Sequence, residues 1–103
     1  MNITRIKIGG QIYKIVRPKE VLFENEGETI SVSGTIDHVD GIIAIQKSYT
    51  GDFLDITFLH EALHGILSFC GIGEKLTDNE VDALAKAVHM ILKDNPRLFK
   101  AVK

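Results

Sequence analysis

Apolar and polar residues alternate in the first part of this chain and change to a helical spacing in the second. From Ile3 to Arg17 the period is two residues, interrupted at Gly9–Gly10. That predicts a β-hairpin turning at the two glycines. A two-residue turn sets Ile8 opposite Gln11, Ile6 opposite Tyr13 and Thr4 opposite Ile15. Ile6, Ile8, Tyr13 and Ile15 then share one face, and Arg5, Lys7, Ile12 and Lys14 take the other. One face buried and one wet is the ordinary antiparallel arrangement, so Tyr13 is expected to pack rather than react. Pro18–Phe23 reads as a turn or short helix. Asn25–Glu26–Gly27 signals a turn, and Thr29–Ser33 alternates as a strand. Gly34–Gly41, with Asp37, His38 and Asp40, reads as a polar connecting loop, where such residues ordinarily lie. Ile42–Ile43–Ala44–Ile45 is a short apolar run rich in β-branched residues. It predicts a strand over Gly41–Gln46 covered on both faces.

The helical part has two elements. The first is expected from about Asp52 to Cys70. Asp52 and Asp55 suit the positive end of its dipole, and Gly71 and Gly73 end it. It is apolar nearly all round, which predicts a central, buried helix. At about 100° per residue, Thr57, His60, Glu61, His64 and Ser68 fall in one polar stripe. The second helix starts at Thr77 or Asp78 and runs to about Asn95, stopped by Pro96. Its buried face is expected to hold Val81, Leu84, Ala85, Val88, Ile91 and Leu92. Asp82, Lys86 and Lys93 lie opposite, with His89 at the border. Arg97–Lys103 is expected as a short terminal turn of helix that docks Leu98 and Phe99. Strands first and helices second predict an α+β fold: a small N-terminal antiparallel or mixed sheet packed on two long C-terminal helices.

Composition narrows the function classes. A chain of 103 residues forms one small domain, residues 1–103. A net charge of −2 gives no broad electrostatic case for nucleic acid or for an acidic membrane surface. No apolar run approaches the roughly 20 residues of a membrane span. Met1–Lys7 lacks the continuous apolar stretch of a signal peptide. One cysteine excludes an internal disulfide and fits a reducing, cytoplasmic setting. Nothing in the pattern sets the oligomeric state; a monomer suffices.

The polar stripe carries the candidate chemistry. Unpaired polar groups inside a buried helix cost about 1–3 kcal/mol each, so the stripe needs a reason. His60–Glu61–Ala62–Leu63–His64 is an HExxH pattern. Histidines four apart share a helix face and reach one metal ion, and the glutamate between them serves as general base on a metal-activated water. An internally hydrogen-bonded network in the core is the plainer alternative. A catalytic zinc needs three protein ligands and one open position. The longer metzincin pattern requires Gly and His where this chain has Leu67 and Cys70, so the third ligand lies elsewhere. Helical facing favours Glu80, beside Leu84 and Ile91. Against this, Thr77–Asp78–Asn79–Glu80 fits a capping box, in which Glu80 bonds back to the cap amide. Asp78, Asp82 and the His38 loop remain as alternatives.

Phe58–Leu59–His60–Glu61–Ala62–Leu63–His64–Gly65–Ile66–Leu67, then Asn79–Glu80–Val81–Asp82–Ala83–Leu84–Ala85, then Lys93–Asp94–Asn95–Pro96, resemble the gluzincin-type metallopeptidases. The whole chain looks like the small metallopeptidase-like proteins of phages and prophages related to the ImmA/IrrE and SprT-like zincins. The resemblance covers roughly residues 40–100. It implies a minimal zincin-like domain with zinc on His60, His64 and Glu80, and Glu61 as catalytic base. It implies a peptide or protein substrate pairing with the Gly41–Gln46 strand. The alternative it leaves is a metal-binding zincin-like regulatory protein without turnover. A transition-state donor would come from His38, Tyr49 or His89. A long substrate groove and a helix-turn-helix partner domain are absent.

Overall fold

Gly9 and Gly10 adopt positive φ of 57° and 92°, and the chain reverses there as the alternation requires. The computed structural model describes residues 1–102. Strands β1 (Arg5–Ile8) and β2 (Gln11–Val16) pair with Ile6 opposite Tyr13 and Ile8 opposite Gln11. A further bond from Ile15 N to Thr4 O, 2.9 Å, extends the expected register. Tyr13 is buried, and Ile6, Ile8 and Ile15 pack around it. Ile12, on the other face, is exposed.

Two expectations for the middle of the chain are corrected. The Pro18–Phe23 segment is neither turn nor helix. It leads into β3 (Val21–Asn25), which pairs with β4 (Glu28–Val32) across the expected turn as a separate two-stranded sheet. Glu26 and Gly27 take positive φ at that turn. The Gly34–Gly41 segment is not all loop. Gly34–Asp37 forms β5, antiparallel to β6 (Ile42–Ile45). Its polar side chains hid a strand that pairs with the next one, β6, across a short turn.

The main sheet is mixed, in the order β1-β2-β6-β5, with β2 and β6 parallel. β6 is central, and Ile43 and Ile45 are fully buried. β1 and β5 are the two edge strands, and β5 is the one beside β6. Arg17 braces the end of this sheet. Its guanidinium donates to the carbonyls of Ile45 (3.2 Å), Gln46 (3.2 Å), Lys47 (3.1 Å) and Tyr49. Charge-assisted bonds contribute about 1.5–3 kcal/mol each before desolvation is counted. Arg17→Ala is expected to lower stability by about 2 kcal/mol, read as a fall of several degrees in the melting midpoint. An unchanged midpoint would contradict that bracing role.

Helix α1 (Gly51–Phe69) lies across the sheet, and α2 (Asp78–Asp94) packs on α1. A short α3 (Leu98–Val102) follows. Leu54, Phe58 and Ala62 of α1 join Tyr13, Ile43 and Ile45 in the core. The helix is central but not buried all round, since Phe53, Ile66 and Phe69 are exposed. A Cβ on Gly65 would meet Ile8 and Ile36 at 2.9 and 3.0 Å. One on Gly34 would meet Thr57 at 2.9 Å and the Ala44 carbonyl at 3.1 Å. These two glycines let the polar stripe of α1 lie close against β5.

The rotation of α2 departs from expectation. Val81 and Ala85 are buried, but Leu84 and Ile91 are 42% and 43% exposed. Asp82 and His89 are instead half-buried. The contact face is turned from the Leu84 side to the Val81–Ala85 side. Leu98 is half-buried as expected, and Phe99 is exposed. Among the described residues no helix is long and apolar enough to cross a membrane.

Candidate metal centre

The end of α1 and the start of α2 bring the chemistry together. Two bonds close α1, Gly71 N to Ser68 O (3.0 Å) and Ile72 N to Leu67 O (3.0 Å). This is a Schellman stop, with Gly71 at φ 78°. One turn of 3-10 helix at Gly73–Lys75 follows. Thr77 then caps α2, its hydroxyl accepting from Glu80 N at 3.1 Å. The connection sets the first residue of α2, Asp78, beside the HExxH face of α1.

Three atoms converge there. His60 Nε2 and His64 Nε2 each stand 3.0 Å from Asp78 Oδ1, and 3.1 Å from each other. They come from both helices and form one of two groups of ligand-type side chains among the described residues. On its other side His60 faces Asp82, Nδ1 to Oδ1 at 3.2 Å. A carboxylate only accepts, so a hydrogen on Nδ1 would be donated to Asp82. That tautomer leaves a lone pair at Nε2, toward Asp78. Lys86 Nζ holds the other Asp82 oxygen at 2.8 Å. Nitrogen and oxygen atoms this close share either a hydrogen or a cation. Ligands about 2.0–2.1 Å from one tetrahedral ion stand roughly 3.3 Å apart, so the observed triangle suits a metal. A carboxylate on the far nitrogen of a ligating histidine is the usual support for such a site.

Glu80, the expected third ligand, does not stand with the two histidines. Glu80 is exposed, and its carboxylate accepts from Thr77 N at 2.8 Å. The capping box is complete and occupies the group. Glu80 shares the helix side of Leu84 and Ile91, which α2 turns to water. Asp78 takes the place beside the histidines, and Asp82, expected to face water, supports His60. The backbone bond from Thr77, with its side chain, holds the Glu80 carboxyl below the usual range.

Glu61 sits beside this triangle, Oε2 to His60 Nε2 at 3.9 Å, with its side chain 10% exposed. Burial pushes its carboxyl up to about 7; the positive charge of His60 opposes the rise and the negative charge of Asp78 adds to it. Burial also raises Asp78, but the bonds from His64 and His60 and their charges outweigh it and hold that carboxyl below the usual range. Asp82 is likewise lowered, chiefly by the bond from Lys86.

The triangle opens on a cleft of about 900 Å³ bordered by β5. The Gly41–Gln46 strand, expected at this border, is interior. Gln46 N donates to Ser33 O at 3.0 Å, so alternate residues of β5 face β6. Gly34 and Ile36 direct their N–H and C=O groups to the open edge. Of the three expected donors, only His38 lines the cleft. Its Nδ1 lies 3.1 Å from the Tyr13 hydroxyl. Tyr49 packs edge-on against Phe53. His89 lies near Asp52 and Asp55, at 3.6 and 3.9 Å, in the second ligand-type group. Lys93 already pairs with that Asp52 at 3.0 Å.

Comparison with protein-family models, with curated proteins and with solved structures finds no match to the chain.

Proposed function

We propose that this protein is a zinc-dependent metallopeptidase that hydrolyses peptide bonds in extended peptides. The observation that carries the reading is the convergence of His60 Nε2, His64 Nε2 and Asp78 Oδ1 at 3.0–3.1 Å beside a buried glutamate in an open cleft. Two imidazoles and one carboxylate are a donor set of catalytic zinc sites. A zinc ion held there would supply Lewis-acid polarisation of a water and of the substrate carbonyl. Glu61 takes the proton of the attacking water as the oxygen–carbon bond forms. It passes that proton to the amine as the carbon–nitrogen bond breaks. Gly34 and Ile36 pair with the peptide main chain, and α1 holds the reacting groups beneath it. The resemblance to small phage and prophage zincins and a cytoplasmic location belong to the same proposal.

The test is turnover of a quenched peptide library by zinc-loaded protein, stopped by chelator and restored by zinc. Protein that binds zinc but cleaves nothing would instead be a metal-holding regulatory domain. Ligand assignment has its own test. The chelator is expected to lower the melting midpoint of wild type and Glu80→Gln alike and to leave Asp78→Asn almost unchanged. Should Glu80→Gln be the unresponsive variant, Glu80 is the ligand after all.

A further inference from the structure

The β3–β4 hairpin presents an apolar face that the metal chemistry does not use. Val21 pairs with Val32, and Phe23 with Ile30. Directly opposed and next-but-one residues share a sheet face, so these four side chains lie together. Val21 anchors the base at 4% exposure, while Phe23 and Ile30, nearer the tip, are 50% and 41% exposed. Phe23 and Val32 line the same cleft as His60, Glu61 and His64, so this face turns toward the metal centre. It is continuous with the pairing edge, since only Ser33 separates β4 from β5. The cleft is otherwise acidic, with Glu61, Glu74, Asp78 and Asp82 on its walls.

We propose that Phe23 and Ile30 determine specificity, and that the substrate is an extended peptide carrying a bulky apolar side chain. The inference rests on the peptidase reading above. A main chain aligned on Gly34 and Ile36 is carried toward the hairpin because β4 runs into β5. A leucine or phenylalanine there removes the half-exposed Phe23–Ile30 pair from water along with itself. A small side chain covers too little of that pair. An anionic one meets the carboxylates of the cleft.

The test measures binding and turnover separately. The probes are decapeptides of Gly, Ser and Asn with one central residue varied among Leu, Phe, Ala, Ser and Glu. Binding is measured on zinc-loaded Glu61→Gln protein and turnover on wild type. Leu and Phe peptides are expected to bind and turn over at least about tenfold better than Ala or Ser peptides, the discrimination an apolar pocket provides. Phe23→Ala, and the milder Ile30→Thr, should reduce that ratio to about threefold or less with zinc content and melting behaviour retained. Leu22→Ala, on the outer face, should leave it unchanged. Peptides bound or cleaved without apolar preference, or a preference surviving both hairpin variants, overturn this inference and leave the peptidase reading standing. Absence of both binding and turnover overturns the two together.

Discussion

His60→Ala and His64→Ala proteins are expected to purify without metal, while wild type carries one zinc per chain. Both Nε2 atoms face Asp78 Oδ1 at 3.0 Å, so each alanine removes one corner of the triangle. Two remaining ligands do not hold zinc against dialysis when structural and catalytic sites use three or four. The linked effect on folding is large. Free zinc at a hundred times Kd stabilises the folded protein by about 2.7 kcal/mol. For a domain near this size that raises the melting midpoint by roughly 10–20 °C. Neither alanine variant should show the rise. Asp82→Asn should keep the metal but bind it about 10–100-fold more weakly, because only the orientation of His60 is relaxed. Wild-type protein that is folded and metal-free in zinc-replete buffer would remove the basis of the metal reading.

Glu61→Gln is expected to retain zinc and lose hydrolysis. An amide has no proton-accepting oxygen of comparable basicity, and positioned general bases contribute about 10²–10⁴-fold. The same variant has a second signature that needs no substrate. The Glu61 carboxyl is pushed from 4.5 to about 7 in the folded protein, chiefly by burial. The folded state therefore binds this proton more tightly than the unfolded chain does. That stabilisation is fully present below about pH 4.5 and is lost as pH rises through about 7. Glutamine stays neutral throughout. In chelator, Glu61→Gln should melt close to wild type at pH 5 and above it at pH 8, by on the order of 1–3 kcal/mol. Loss of zinc from this variant would make Glu61 a ligand, and undiminished hydrolysis would trace the activity to a contaminant.

The sequence by itself determined what depends on neighbours a few residues away. The Gly9–Gly10 turn and the two-residue alternation set the register of β1 on β2, and with it the burial of Tyr13. The 3.6-residue period placed His60, Glu61 and His64 on one side of α1, and Gly71 and Thr77 marked the ends of the two helices. Thr77 and Glu80 were legible as a capping box, because each bond spans only three residues. Tertiary structure decided what depends on partners far along the chain. β6 pairs in parallel with the distant β2, which makes it interior and moves the cleft border from Gly41–Gln46 to Gly34–Asp37; β5 itself pairs locally with β6, and only its polar composition concealed it. The face that α2 turns to α1 could not be read from its apolar residues, which spread over more of its circumference than one contact covers. Packing buried Val81 and Ala85 rather than Leu84 and Ile91. That rotation carried Asp78 to the histidines and Asp82 behind His60, and left Glu80 in water. Local spacing orients side chains about a helix axis, but the angle at which that helix meets its neighbour is set only by what both surfaces can bury.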